Sequence, residues 1–392
     1  MNRVAVVSCY FIHNYGSVLQ AYATEKYLRN IGIDCKTVRI DGLTPLLWQK
    51  KKEYYKKNKT DFSLIVSKLP LIKLKIFEKI NLHNLGAEKE EQIKSFDDFR
   101  RRFSLTEEAP SSFEELKVLS SEFDTVLLGG DQLWRPDNIY PCYYTLEWAD
   151  EKVKRVSLAT SFGVSSLDSE SAKHAEKFLP TFSGISVREK NGCDIVRNIC
   201  EKEALQACDP VFLLDCDEWS GIADETACPK EKYALCYFLG NGRNKIKKIN
   251  QLCREKGLKT VVIPNLDRYE PAEKNVSVLN ASPEQFLGLI KNAEYIFTDS
   301  FHCTAFSVIF GKQFLVFRRF GKKKHGTDSR IISFLKTAGM LSRLAQSDEP
   351  EKIFSMPDEV VSADNNALLQ NEITKTKDFL QEHLIAEEKV NV

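Results

Sequence analysis

EYIFTDSFHCTAFSVIFGKQFLVFRR, residues Glu294 to Arg319, decides the fold. Tyr295 to Thr298 is an apolar, β-rich run, Asp299, Ser300 and His302 fall at a polar turn, and Ala305 to Phe310 is an apolar helix stopped by Gly311. Phe314 to Phe317 resumes a strand and delivers Arg318 and Arg319 at its end. Strand, turn, helix and strand in this order form the unit of an open parallel sheet, whose strand ends share one edge where helix amino termini present unpaired N–H groups. A titratable histidine and two arginines therefore converge on a place suited to anions. The stretch predicts the donor site of a transferase with a negatively charged donor. His302 alone also reads as a cap or a structural hydrogen-bonding residue, and Phe301, Phe306 and Phe310 read first as core.

Earlier in the chain the same pattern recurs. Val4 to Cys9 is a buried type of strand, and the polar stretch Phe11 to Ser17 leads into a helix with apolar residues at Val18, Leu19, Tyr22, Tyr27 and Leu28, stopped by Gly32 before a strand over Cys35 to Ile40. Asn14 and Ser17 can hydrogen-bond a sugar or phosphate and Gly16 permits close backbone approach, although Asn and Gly are also plain turn residues. There is no GxGxxG, so a dinucleotide fingerprint is missing. Strands are predicted at Asp124 to Leu128, Arg155 to Thr160 and Gly184 to Val187. The first ends in Gly129, Gly130, Asp131, Gln132 and Trp134, the second in Ser161 and Gly163, the third in Arg188 and Glu189. Paired glycines suit close backbone contact, Asp and Gln suit hydroxyl recognition, and a Trp face suits sugar C–H surfaces. Polar ends on four strands of one sheet predict a cleft wall.

A chain of 392 residues exceeds the usual size of one core, and Cys208, Asp209 and Pro210 mark the expected switch between two domains. The expected division is 1–207, with a basic helical insertion over about 46–103, then 208–362, then a polar tail helix within 363–392 that packs back across both. The run Gln49 to Lys59 reads as a solvated face or as a contact with an anionic membrane surface. GKKKH at Gly321 to His325 reads as a basic loop. A second α/β set is expected from Tyr233, with a capping-box helix start at Ser282, Pro283 and Gln285.

A formal charge of +1 gives no global reason for nucleic-acid binding. The start MNRVAVVSCY runs straight into a strand without a signal peptide, which predicts a cytoplasmic protein. Eleven cysteines with no CxxC pair then read as reduced and as a poor zinc pattern. Cys35, Cys236 and Cys253 read as small core residues, and so does Cys303, the one whose reactivity merits a test. No carboxylate cluster points to a metal.

HNYGSVLQAY, GGDQLW, ATSFG, ISVRE, DPVFLL and TDSFHCTAFS occur in this order over nearly the whole chain, and together they resemble the polysaccharide pyruvyltransferase family. The resemblance implies an α/β fold of two Rossmann-like domains facing a central cleft, similar to the GT-B glycosyltransferases. It implies phosphoenolpyruvate as donor substrate, no cofactor, and a hexose hydroxyl pair in a cell-surface glycan or its lipid-linked precursor as acceptor, closed into a cyclic pyruvate ketal. By the matched motifs, His302 is the expected general acid and Arg188 an expected contact of the donor anions. Ser300, Phe301 and Arg318 complete the expected donor set; some relatives place Arg where this chain has Ser300, and Arg319 competes with Arg318. Asn14, Gly16, Ser17, Gly130, Asp131, Gln132, Trp134 and Ser161 form the expected acceptor wall, with Asp131 either a general base or a loop-holding residue. A nucleotide-sugar glycosyltransferase and a non-catalytic glycan-binding protein of the same fold remain as alternative readings.

Overall fold

The computed structural model describes residues 2–57, 85–264, 274–319, 329–346, 349–357 and 360–385. Two parallel sheets carry the chain. The first holds β1 (Arg3–Val7), β2 (Asp34–Thr37), β3 (Thr125–Leu128), β4 (Lys154–Thr160), β5 (Gly184–Val187) and β6 (Leu205–Gln206) in the order β2-β1-β3-β4-β5-β6. The second holds β7 (Tyr233–Tyr237), β8 (Lys259–Ile263), β9 (Val276–Val278), β10 (Tyr295–Thr298) and β11 (Gln313–Val316) in the order β11-β10-β7-β8-β9. Strands β3, β5 and β7 are buried along their whole length, as strands covered on both faces by helices must be, and β7 accordingly reads as a continuous apolar run.

Each sheet reverses its strand order once, between β1 and β3 in the first and between β7 and β10 in the second. Crevices form outside the carboxyl ends of strands at such reversals. The helix Tyr15–Asn30 follows β1 and the helix Phe301–Ile309 follows β10, so both begin at a reversal point. Asn14 caps the first through its side chain, which accepts from the Ser17 N–H at 3.3 Å, and Gly32 beyond its end takes φ +79°. Ser300 caps the second by accepting from the Cys303 N–H. His302 thus belongs to the first helical turn, not to the turn before the helix as the apolar periodicity suggested; that periodicity misses a polar first turn.

Aromatic packing joins the two halves. Tyr15 stacks on Phe286 with ring centroids 4.3 Å apart and donates from its hydroxyl to the Ala281 carbonyl at 2.6 Å. Trp219, whose ring lies 6.1 Å from that of Tyr22 in the first half, stands edge-on to Phe306 at 4.9 Å. The helix Ala367–Leu384 lies against the first sheet: Thr376 Oγ1 accepts from the Cys208 N–H at 3.0 Å, and Asn2 donates to the Leu384 carbonyl at 2.5 Å.

In the basic region, the helices Thr44–Lys57 and Leu85–Arg100 are described, whereas residues 58–84, the GKKKH loop and the end of the tail lie outside the described residues. Among the described residues no helix is long and apolar enough to cross a membrane. None of the eleven cysteines, all among the described residues, forms a disulfide.

Candidate active site

The two reversal points meet at His302 and Gly16. A Cβ on Gly16 would lie 1.9 Å from His302 Nδ1, so the ring from the second half rests directly on the first helical turn of the first half. Only glycine leaves room for it. The opposite ring nitrogen, Nε2, lies 3.4 Å from Oδ2 of Asp209, within ion-pair range but without hydrogen-bond alignment. His302 and Asp209 are both buried.

Arg188, delivered by the end of β5, runs through the middle of this cluster. Its Nη1 donates to Asp209 Oδ2, its Nη2 lies 3.5 Å from Asp131 Oδ1, and its guanidinium carbon is 4.9 Å from the centroid of the Phe301 ring. Burial alone would raise the Asp209 carboxyl, but His302 and Arg188 outweigh it and hold that group below its usual range. Burial likewise works against Asp131, yet Arg188, His302 and the Ser17 hydroxyl, donating at 2.6 Å, hold it far below the ordinary carboxylate range. For Arg188 burial pulls the pKa down and Asp209, Asp131 and Glu189 more than restore it.

A second buried guanidinium faces the same space. Arg330, in the helix Ser329–Thr337, lines a cavity with Arg188, Asp209, Phe212, Phe301 and Phe334. Burial and the nearby Arg188 push it down to about 10 against the pull of Glu189 and Asp131, and its Nε is 4.0 Å from Glu189 Oε1. Nε and Nη2 of Arg188 and Nε of Arg330 are buried without a hydrogen-bond partner. Buried N–H groups are rarely left unpaired, and two such cations on one cavity are the kind of donors that an anion carrying several oxygens requires.

The expected residues therefore fall into two groups. Arg188, Phe301 and His302 come together, with Ser300 as the cap beneath them. Arg318 does not line the cavity; it stands half-buried just beyond β11, and Arg319 donates to the Asp299 carbonyl at 3.0 Å. The second cation that lines the cavity is Arg330, which the sequence analysis did not single out. Asp209, read as a domain break, is the carboxylate that joins Arg188 to His302.

The acceptor wall needs larger correction. Trp134 is fully buried among Phe162, Phe178 and Phe182, with its indole N–H donating to the Tyr144 carbonyl at 3.1 Å, so it offers no face to a sugar. Ser161 is fully buried and donates to Glu189. Gly130 packs against Pro210 and Gln20. Asn14 serves as a cap and Ser17 holds Asp131. Gln132, half-buried, leaves its amide nitrogen without a partner. Asp131 stands at φ +77°, accepts from the Ser17 hydroxyl and lies 3.5 Å from Arg188, contacts that fit the loop-holding reading of this residue. Cys303 is fully buried with its thiol pushed up to about 12 by burial, a packing residue.

Comparison with known structures agrees with the sheet topology. A UDP-N-acetylglucosamine 2-epimerase superposes at TM-score 0.51 with 12% identity, covering 99% of this chain and 97% of the other. The UDP-GlcNAc 2-epimerase of Methanocaldococcus jannaschii superposes at TM-score 0.49 with 11% identity, covering 96% and 99%. The first of these, at 12% identity, shows a likeness of fold alone: two Rossmann-like halves about a central cleft, the GT-B-like arrangement. No curated protein matches the sequence at a significant level. The sequence profile of the polysaccharide pyruvyl transferase family matches residues 14–319, a span that begins at the cap of the helix under His302 and ends at Arg319. The chain belongs to the polysaccharide pyruvyl transferase family.

Proposed function

We infer that the protein transfers pyruvate from phosphoenolpyruvate onto two hydroxyls of one hexose in a glycan, closing a cyclic ketal. The observation that carries this reading is the pair of buried guanidiniums, Arg188 and Arg330, with unpartnered N–H groups beside His302. Phosphoenolpyruvate carries a carboxylate and a phosphate, and arginine forks suit both. The amino-terminal end of the helix Phe301–Ile309 adds a favourable field for negative charge.

In this reading His302 gives its proton to the methylene carbon, which becomes the methyl group, and positive character develops on the adjoining carbon. One hexose hydroxyl adds there and the second displaces phosphate, so that two C–O bonds form and the C–O bond to phosphate breaks. Of the two hydroxyl protons, one restores His302 and the other leaves with phosphate. Asp209 steadies the protonated imidazole and Asp131 fixes Arg188 from the other side. The acceptor approaches from the amino-terminal half. A lipid-linked acceptor suits the helix Thr44–Lys57, which buries no residue and leaves Trp48 61% exposed among lysines, each contributing about 1 kcal/mol beside anionic headgroups.

The test is acceptor-dependent release of phosphate from phosphoenolpyruvate, with UDP-hexoses as competing donors. Release that needs both phosphoenolpyruvate and a glycan supports the reading. Turnover of a UDP-hexose in place of phosphoenolpyruvate overturns it.

A further inference from the structure

Away from the cleft, three side chains with metal-ligating atoms converge. Cys142, Glu147 and His174 hold their ligand atoms within 4.8 Å of one another. His174 Nε2 is 2.6 Å from Glu147 Oε2 and 4.0 Å from Cys142 Sγ. Their numbers are too far apart for a sequence motif; the helix Ser169–Phe178 brings His174 onto the turn that carries the other two.

We propose that Cys142, Glu147 and His174 form a zinc site with a fourth position open to solvent. Thiolate, imidazole and carboxylate together are a zinc donor set, and catalytic and exchangeable sites commonly have three protein ligands and a water. Zn–S near 2.3 Å and Zn–N or Zn–O near 2.0–2.1 Å place tetrahedral ligands roughly 3.3–3.7 Å apart, so shifts of about 0.7 Å or less bring the two closest pairs into range. The surroundings hold the ligands in place. Thr145 Oγ1 donates to Glu147 Oε2 at 2.8 Å and lies 3.0 Å from the Cys142 carbonyl, and the His174 ring stands edge-on to Phe178. Glu147 and His174 also line a surface cavity with Tyr54, Tyr140 and Lys177, which gives the fourth ligand its entrance. On binding, the Cys142 thiol proton passes to solvent and the Glu147–His174 contact opens to admit the ion.

Cobalt(II) is the probe, added to the full chain after dialysis against a chelator. The site predicts one cobalt per chain with four-coordinate visible absorption and a thiolate-to-cobalt charge-transfer band, both displaced by one equivalent of zinc. Cys142→Ser removes the charge-transfer band, and Glu147→Gln, which leaves the thiol in place, weakens zinc binding at least tenfold with an unchanged circular dichroism spectrum. Should cobalt give no thiolate band, or one that survives in Cys142→Ser because another of the eleven cysteines supplies it, the three residues are an ordinary ion pair beside a thiol and the proposal is wrong.

Discussion

Nε2 of His302 lies 3.4 Å from Oδ2 of Asp209, and the same carboxylate oxygen takes the hydrogen bond from Arg188. The imidazole of the second half is thereby tied to the residue that follows the first sheet and to a cation that lines the cavity shared with Arg330. His302→Ala should lower turnover by roughly a hundredfold or more, as expected for a lost general acid, while phosphoenolpyruvate affinity by calorimetry changes only a few-fold. Equal losses in both would give His302 a binding role instead.

Arg188 and Arg330 should part company in stability while agreeing in function. Arg188→Met leaves the buried Asp209 and the half-buried Asp131 without their cation and should cost about 3–5 kcal/mol in urea unfolding. Arg330 is held down by its own burial and by Arg188, so Arg330→Met should leave stability unchanged or raised. Both variants should lose donor binding. An Arg330→Met protein that binds phosphoenolpyruvate normally would remove Arg330 from the site.

Gly16→Ala sets two effects against each other. In a helix alanine is favoured over glycine by about 1 kcal/mol, yet the added methyl group would collide with His302 Nδ1. The substitution should therefore destabilise the native chain and abolish turnover. In a His302→Ala background it should be neutral or stabilising, and a double-mutant cycle of unfolding free energies reads the difference directly.

Asp209 gives the acid limb of the stability profile. Its carboxyl titrates below the unfolded value of about 3.9, so its contribution is complete above that pH and is lost as the pH falls through the lower folded value. The stability gap between the native chain and Asp209→Asn should be widest near neutral pH and close below about pH 4. A gap that is constant from pH 7 to pH 3 would mean that the carboxylate charge is not what matters.

Trp134→Ala should cost about 3–5 kcal/mol, the range for emptying a buried aromatic site, and should leave acceptor KM unchanged in the fraction that stays folded. A rise in KM without loss of stability would return Trp134 to the acceptor wall.

The fold was legible because its signals are local. A fully buried strand such as β7 prints as an apolar run, and the capping box of Ser282 with Gln285 prints as a helix start. That Arg188 and His302 stand at the carboxyl edges of their sheets was legible, because Arg188 follows directly on β5 and His302 lies in the first turn of the helix after β10. Arg330 was not, since its place in the cavity depends on how the helix Ser329–Thr337 packs across to β5, a long-range contact with no local period. Trp134 and Ser161 misled for the opposite reason: both follow strand ends, but tertiary packing turned them inward. Cys142, Glu147 and His174 share no spacing that a sequence reading would join.

The central claim is tested most directly by mass spectrometry of glycan acceptors after incubation with phosphoenolpyruvate, using galactosides, glucosides and mannosides, free and lipid-linked. The account predicts one acceptor that gains a pyruvate ketal with release of one phosphate, lost with Arg330→Met and His302→Ala. An acceptor that instead gains a sugar from a UDP-hexose, with phosphoenolpyruvate untouched and unbound, would contradict it.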